Sequence, residues 1–229
     1  MALILNIDTA TEKATISIAR DGNNIAFMNN DHQKDHASWL HTTIKDLLKE
    51  NELKLSDLQA IAVTAGPGSY TGLRVGMAAA KGLCYALRVP LITEITLCVM
   101  AHAARTWYDT NNIDLHNVLY CPMLDARRME VFTAAYSPDL NEVLSPRAMI
   151  LEQDSFQEQI NMHQVLFFGS GSIKWKDISI NTNAGFADIQ HSSADLAALS
   201  EIKFQSQHFS DPAYSEPVYL KEFYTHQPK

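Results

Sequence analysis

The 229-residue sequence predicts an α/β protein built from two related lobes. Short apolar runs that fit buried strands alternate with longer segments of helical periodicity. A unit made of a strand ending in aspartate, a second strand and a turn occurs twice, and its two aspartates, Asp8 and Asp125, lie 117 residues apart. The composition, with 46% hydrophobic and 19% charged residues, is that of a folded globular chain. We therefore expect lobes at residues 1–110 and 111–229.

The first lobe is predicted to begin with three strands. The turn at 21–24, with its glycine and asparagines, favours a hairpin between the second and third of them. Apolar residues at intervals of three and four then indicate a helix. In order, the predicted elements are strands at 3–8, 13–20 and 25–29, a helix at 35–51, a strand at 58–65, a helix at 71–87, a strand at 89–92 and a helix at 96–108.

The second lobe repeats the opening pattern and then becomes less regular. Asp8 precedes the aspartate of its turn by 13 residues, and Asp125 precedes the corresponding Asp139 by 14, which indicates a duplicated unit. The predicted elements are strands at 118–124 and 129–136, a turn at 137–141, a further strand, a strand at 165–168, a helix at 194–203 capped by Ser193, and an extended tail at 216–220.

The charge and the cysteines limit the possible functions. Eighteen basic against 26 acidic residues give a net charge of −8, which argues against the chain alone gripping a phosphate backbone. The acidic net charge does not exclude that the chain acts on RNA together with a more basic partner protein. Apolar runs are too short for a membrane span, and the start of the chain does not resemble a signal peptide. Three scattered cysteines favour a reducing, cytoplasmic location over disulfides or a cysteine zinc site.

Three stretches carry a resemblance to a known family. They are Asp-Thr-Ala-Thr at 8–11, Gly-Pro-Gly-Ser-Tyr-Thr-Gly-Leu-Arg-Val-Gly at 66–76, and Asp-Ala-Arg-Arg-Met-Glu-Val at 125–131. Together they resemble the bacterial TsaB (YeaZ) family of the actin/Hsp70/sugar-kinase (ASKHA) superfamily, most clearly over residues 1–135. Farther on only 217–221 matches, with Lys221 where the family usually has arginine. The resemblance implies a two-lobed ASKHA fold of duplicated, RNase H-like mixed-sheet units.

The resemblance also implies a function and partners. It indicates a non-catalytic scaffold or dimerisation subunit in the formation of threonylcarbamoyladenosine (t6A) at adenosine 37 of tRNA. In that family the chain pairs with the catalytic subunit TsaD, and the ATPase TsaE joins them. We therefore expect ATP and a metal on the partner subunits, no cofactor in this chain and tRNA contact only through the complex. When the chain is alone, an apolar face left open favours a homodimer, and a monomer is the alternative.

The helix at 71–87 carries a stripe of small residues at every fourth position: Gly72, Gly76, Ala80 and Cys84. Each glycine costs a helix about 1 kcal/mol relative to alanine, so close approach by another segment is expected. That segment is either the chain's own sheet or first helix or, as the resemblance implies, a partner helix. The candidate partner-interface residues are His36, Trp39, Leu40, Ile44, Gly72, Leu73, Gly76, Ala80, Lys81 and Cys84. On this hypothesis Gly76→Leu blocks partner binding and leaves the monomer folded.

Four residues form a candidate vestigial nucleotide cleft: Asp8, Thr9, Thr11 and Asp125. Carboxylates suit Mg²⁺, and a small ATP-dependent kinase using Asp8 and Asp125 is the alternative function. ASKHA ATPases have glycine where Ala10 stands, and alanine tolerates positive φ poorly. The other interpretation is that both aspartates bond their own turns. The glycine loop at 66–72 lacks the lysine of a P-loop and fits a tight turn with Ser69 or Thr71 as N-cap.

The sequence lacks residues that a zinc-peptidase motif or the metal-binding motif of TsaD would need. His32 and His36 have a spacing that suits zinc, but Gln33 cannot act as the base of a zinc peptidase. The catalytic relative TsaD carries its metal-binding His-x-x-x-His just after the strand that follows the glycine loop, and residues 93–100 contain no histidine. No catalytic residue is therefore assigned. Arg127 and Arg128 beside Glu130 fit an RNA contact, a partner contact or an ordinary surface cluster.

Overall fold

The computed structural model describes residues 2–31, 36–111, 117–180 and 182–221. The first lobe contains β1 (Leu3–Asp8), β2 (Ala14–Arg20), β3 (Asn23–Asn30), α1 (His36–Glu50), a 3-10 turn (Leu55–Asp57), β4 (Ala60–Gly66), α2 (Tyr70–Leu87) and β5 (Leu91–Ile95). The rest contains α3 (Thr96–Asn111), β6 (Val118–Asp125), β7 (Glu130–Tyr136), β8 (Glu142–Ile150), α4 (Gln157–Met162), β9 (Gln164–Phe168), α5 (Ser172–Lys176), β10 (Ala184–Phe186) and α6 (Ser193–Gln205).

The two five-stranded sheets share one topology. In the first, the strand order is β3-β2-β1-β4-β5, with β1 antiparallel to β2 and parallel to β4. In the second, the order β8-β7-β6-β9-β10 repeats this arrangement, with β6 antiparallel to β7 and parallel to β9. The predicted two-lobed α/β fold of duplicated mixed-sheet units is therefore confirmed, and in each copy the first strand ends in an aspartate.

Five layers make up the molecule. One face of the first sheet packs against α1 and α2 around Ile7, Ile16 and Leu40. Its other face packs against α6, where Phe204 lies against an apolar cluster that includes Ile4 and Ala62. The helix α3 lies in the same layer as α6 and packs on the second sheet. A further apolar cluster, which includes Phe156, Phe167 and Trp175, joins that sheet to α4 and α5. The helices α3 and α6 thus lie between the two sheets and contact each other through apolar residues.

The helices of the central layer cross the boundary expected near residue 110. That boundary separates the two sheets, but α6 comes from the second half of the chain and packs on the first sheet. Buried Ser200 donates a hydrogen bond to the Asn6 Oδ1 atom in β1 at 2.7 Å, and Lys203 pairs with Glu94 of β5 at 2.9 Å. The helix α6, from the second half of the chain, therefore completes the packing of the first lobe.

Most predicted elements occur within two residues of their expected positions. β5 begins at Leu91 rather than 89 because Arg88 ends α2 in a left-handed conformation and the Val89 amide still bonds to the Cys84 carbonyl. Ser192, not Ser193, caps α6. The sequence did not predict α4, α5 and β10, which are too short for a periodic pattern. None of the helices in the described part of the chain is long and apolar enough to cross a membrane.

Candidate functional site

Asp8, at the carboxyl end of β1, forms a buried ion pair with a histidine from the other end of the chain. Its Oδ1 atom accepts from the Ala10 amide (3.0 Å) and the Thr64 hydroxyl (2.8 Å), and Oδ2 lies 2.8 Å from His191 Nε2. Burial favours the neutral carboxyl, but the hydrogen bond and charge of His191 outweigh it and hold the pKa of Asp8 below 3.8. Burial also disfavours the imidazolium, yet Asp8 raises the pKa of His191 above 6.5.

The other three residues of the candidate nucleotide cleft also bond within the chain. Thr9 donates its hydroxyl proton to the Gly72 carbonyl at 2.7 Å, and Thr11 donates to the Lys13 carbonyl at 3.1 Å. Asp125 has a side chain that is 46% exposed, and Lys174 Nζ lies 2.6 Å from it. That hydrogen bond from Lys174 holds the pKa of Asp125 below 3.8.

These contacts do not fit a nucleotide site. The Ala10 amide, at the position where ASKHA ATPases have glycine, already donates to Asp8, and Asp8 is neutralised by His191. Among the described residues, Asp8 and Asp125 share no hydrogen-bond partner. The geometry agrees with the interpretation that each aspartate bonds its own turn.

The small residues Gly72, Gly76, Ala80 and Cys84, here called the inner stripe, face the interior of the chain. A Cβ on Gly72 would lie 2.1 Å from the Thr9 carbonyl oxygen, and one on Gly76 would lie 2.3 Å from the Thr9 hydroxyl. Ala80 and Cys84 belong to the core between α2 and the first sheet. The glycines therefore let α2 approach the turn after β1. The expectation that the inner stripe meets a partner helix is wrong, because the chain's own sheet occupies that face.

Other candidate interface residues are placed inside as well. Leu40 and Leu73 are at most 1% exposed, so they stabilise the monomer and offer no surface to a partner, whereas Ile44 lies at the wall of the apolar groove described below. Trp39 is half-buried against the same core. His36 begins α1, but its side chain lies outside the described residues, as does His32. The expectation for Gly76→Leu is also wrong, because the larger side chain would collide with Thr9 inside the folded monomer.

The exposed face of α2 carries a second set of small residues, which the sequence analysis missed. Ala78, Gly82 and Ala86, here called the outer stripe, are exposed and again four residues apart. A Cβ on Gly82 would have no atom within 4 Å among the described residues. The neighbouring Tyr85 is 88% exposed. The signal was present as a second four-residue repeat, two positions along from the inner stripe, but nothing in the sequence says which repeat faces inward.

An apolar groove lies where the C-terminal half of α1 meets α2. Its volume is about 380 Å³, and its wall includes Ile44 and Leu48 from α1, Leu53 and Leu55 from the loop that follows, and Leu83 from α2. Three basic side chains of α1, four residues apart, also line it: His41, Lys45 and Lys49.

The chain's last described segment lies along the first half of α2. The Val218 amide donates to the Ala65 carbonyl at 2.7 Å. The Tyr219 ring lies against the Tyr70 ring at an angle of 44°, and its hydroxyl accepts from Arg74 Nε at 3.1 Å. Lys81, a candidate interface residue, donates to the Ser215 carbonyl at 2.9 Å and to that of Ala213. This segment therefore occupies one side of α2, while no other described part of the chain packs on Gly82 of the outer stripe.

Among the residues that the structure describes, no group of three or more histidine, cysteine, aspartate or glutamate side chains is placed to hold a metal ion. Residues 93–100 form the end of β5 and the first turn of α3. The expectation that metal and ATP belong to partner subunits stays a prediction.

Comparison with known proteins relates the chain to tRNA modification. The family model for TsaD, tRNA N6-adenosine threonylcarbamoyltransferase, matches residues 28–222. The chain is 27% identical over 225 residues to the tRNA threonylcarbamoyladenosine biosynthesis protein TsaB of Escherichia coli, with 95% of this chain and 94% of that protein covered. It is 26% identical to the Haemophilus influenzae protein of the same name, with 95% and 93% covered.

A solved structure supports the fold. YeaZ from Pseudomonas aeruginosa superposes with a TM-score of 0.78 and 23% identity, covering 96% of this chain and 100% of that one. At this identity the likeness concerns the fold alone. It agrees with the duplicated sheets and the central helical layer described above.

Proposed function

The chain belongs to the family of the matched TsaD model and, within it, to the TsaB (YeaZ) proteins, and from that premise we propose that it is a non-catalytic subunit in t6A biosynthesis. It holds a TsaD-type catalytic subunit in a competent arrangement, and a TsaE-type ATPase joins the assembly. Formation of N6-threonylcarbamoyladenosine at position 37 of tRNA takes place on the partner. A cytoplasmic location follows from this role.

The proposal rests on the surface of α1 and α2 that no described part of the chain covers. It combines the outer stripe, exposed Tyr85 and the apolar groove, and no described part of the chain packs on Gly82. A glycine inside a helix costs about 1 kcal/mol, and no contact from the described residues accounts for that cost at Gly82. Close approach by a helix of another subunit would account for it. Lys45 and Lys49 at the groove favour a partner whose apolar residues are flanked by carboxylates.

The absence of catalysis is part of the proposal. The polar groups that an ASKHA ATPase would turn toward a phosphate are here bonded to the chain itself, with Asp8 held by His191 and Thr9 by Gly72. The alternative of a small kinase therefore has no observation in its favour. Calorimetric titration of the isolated chain with ATP and Mg²⁺ is expected to show no micromolar binding. Binding that Asp8→Ala abolishes would favour the kinase.

Self-association is the expected behaviour of the isolated chain. The same apolar surface, left without its partner, would be buried by a second copy. Analytical ultracentrifugation should then show a dimer that dissociates when the catalytic subunit is added. A dimer that persists in the presence of that subunit would place homodimerisation on a different surface.

Gly82→Leu tests the proposed interface. The side chain has space in the monomer, so the variant should keep its stability and lose at least tenfold in affinity for the catalytic subunit in a calorimetric titration. Ala194→Leu changes another exposed small residue, on α6, and is the matched control that should bind normally. Unchanged affinity of the Gly82→Leu chain would exclude the α1–α2 surface.

A further inference from the structure

The loop between β6 and β7 exposes two adjacent arginines in a fixed backbone conformation. Arg127 and Arg128 have φ of 69° and 51°, and successive non-glycine residues in the left-handed region are uncommon. The Arg127 amide donates to Asp125 Oδ1 at 2.6 Å, the Ala126 amide to the Glu130 carbonyl at 3.1 Å, and the Glu130 amide to the Arg127 carbonyl at 3.2 Å. Residues 125–130, here called the arginine turn, are therefore held by their own hydrogen bonds.

The carboxylates of the arginine turn are already neutralised by lysines from elsewhere. Lys174 of α5 lies 2.6 Å from Asp125 and donates to the Glu130 carbonyl at 3.2 Å. Lys221 pairs with the Glu130 carboxylate. In the described ranges of the chain, neither arginine has a carboxylate within ion-pair distance. Four cations thus surround two carboxylates, and the excess positive charge lies on the two exposed guanidinium groups.

Such a patch is unexpected on a chain whose net charge is −8. The planar guanidinium fork matches the oxygens of a phosphate and can donate two hydrogen bonds to it. A turn whose backbone is already ordered loses little conformational entropy on binding. These properties suit a polyphosphate surface.

We propose that the arginine turn contacts the phosphate backbone of the RNA that the complex modifies. The inference rests on the proposed function, which supplies the RNA, and it replaces the expectation that tRNA is contacted only through other subunits. The chain's overall acidity means that this contact adds to those made by partners and does not suffice alone. The corresponding turn of the first lobe cannot serve, because Thr9 and Ala10 are buried under α2.

The test uses the assembled complex and an unmodified tRNA transcript with adenosine at position 37. Arg127→Gln combined with Arg128→Gln removes both charges of the turn. The control, Arg20→Gln with Arg105→Gln, removes two exposed arginines outside the turn.

Assembly of each variant is checked by gel filtration before tRNA affinity is measured from 50 to 300 mM salt. The turn variant should assemble normally, bind tRNA about tenfold or more weakly at low salt, and lower the slope of log affinity against log salt by about 1.5. The control should match the wild type.

Each other outcome overturns the inference in a distinguishable way. An assembled variant with unchanged affinity and slope shows that the turn does not contact RNA. A variant that no longer assembles shows that the arginines bind an acidic surface of a protein subunit. If the wild-type chain itself fails to join the catalytic subunit, the proposed function fails and the inference fails with it.

Discussion

The two lobes contain the same turn in opposite surroundings. In both, the aspartate that ends the first strand accepts a hydrogen bond from the amide two residues later: Ala10 on Asp8 at 3.0 Å and Arg127 on Asp125 at 2.6 Å. Asp8 is buried and paired with His191, whereas Asp125 is exposed and paired with Lys174. The local geometry of the duplicated unit is therefore the same in both lobes. The packing around each copy determines whether its turn is buried and stabilises the fold, or is exposed and available to a partner.

The largest expected effect concerns the helix that covers the first turn. Gly72→Ala places a methyl group 2.1 Å from the Thr9 carbonyl oxygen, a backbone atom that cannot move aside easily, and should lower the unfolding free energy measured in urea by about 3 kcal/mol. Gly82→Ala, on the outer face of the same helix, should gain about 0.5–1 kcal/mol. Equal effects at the two positions would mean that α2 does not clamp the turn after β1.

The two aspartates themselves should differ in their contribution to stability. Asp8→Ala leaves His191 buried without its partner and should cost about 3 kcal/mol at pH 6. Asp125→Ala removes an exposed pair and should cost less than about 1 kcal/mol. Urea denaturation of both variants provides the comparison. A similar cost for both would contradict the different roles assigned to the two turns.

The pH dependence of stability should also separate the lobes, with a smaller effect. The pKa of His191 is raised in the folded chain, so its contribution is complete below about pH 6.5 and is lost as pH rises through the raised value. The pKa of Asp8 is lowered, so its contribution is present above about pH 3.8 and is lost as pH falls through the lowered value.

Wild-type unfolding free energy should therefore decline as pH is raised above neutrality, and His191→Gln should remove most of that decline. Asp125→Ala, the control from the second lobe, should keep it. A His191→Gln variant with the full wild-type decline would assign the dependence to other groups.

The strands and the main helices could be predicted because apolar periodicity and turn residues act locally. The duplicated unit was visible in the spacing of its aspartates. The position of α6 was not, because nothing local reveals that Ser200 bonds to Asn6 across 194 residues. The ion pair between Asp8 and His191, 183 residues apart, was missed for the same reason.

The local sequence was also insufficient to predict which face of α2 is exposed at the candidate interface. The repeat that contains Gly72 and Gly76 and the one that contains Gly82 are equivalent as sequence patterns. Only the packing of Thr9 against the first repeat distinguishes them. The four-residue repeat of Gly72 and Gly76 was therefore recognised, but the second repeat was missed, and the pattern alone could not say which face of the helix the sheet occupies.

Reconstitution tests the central proposal most directly. The catalytic subunit, the ATPase, tRNA and threonylcarbamoyl-adenylate are combined with the wild-type chain, with the Gly82→Leu chain, or with neither, and t6A is quantified in the digested RNA. We expect t6A with the wild-type chain and only background with the variant or without the chain. Equal t6A in all three mixtures would contradict the role of a required scaffold.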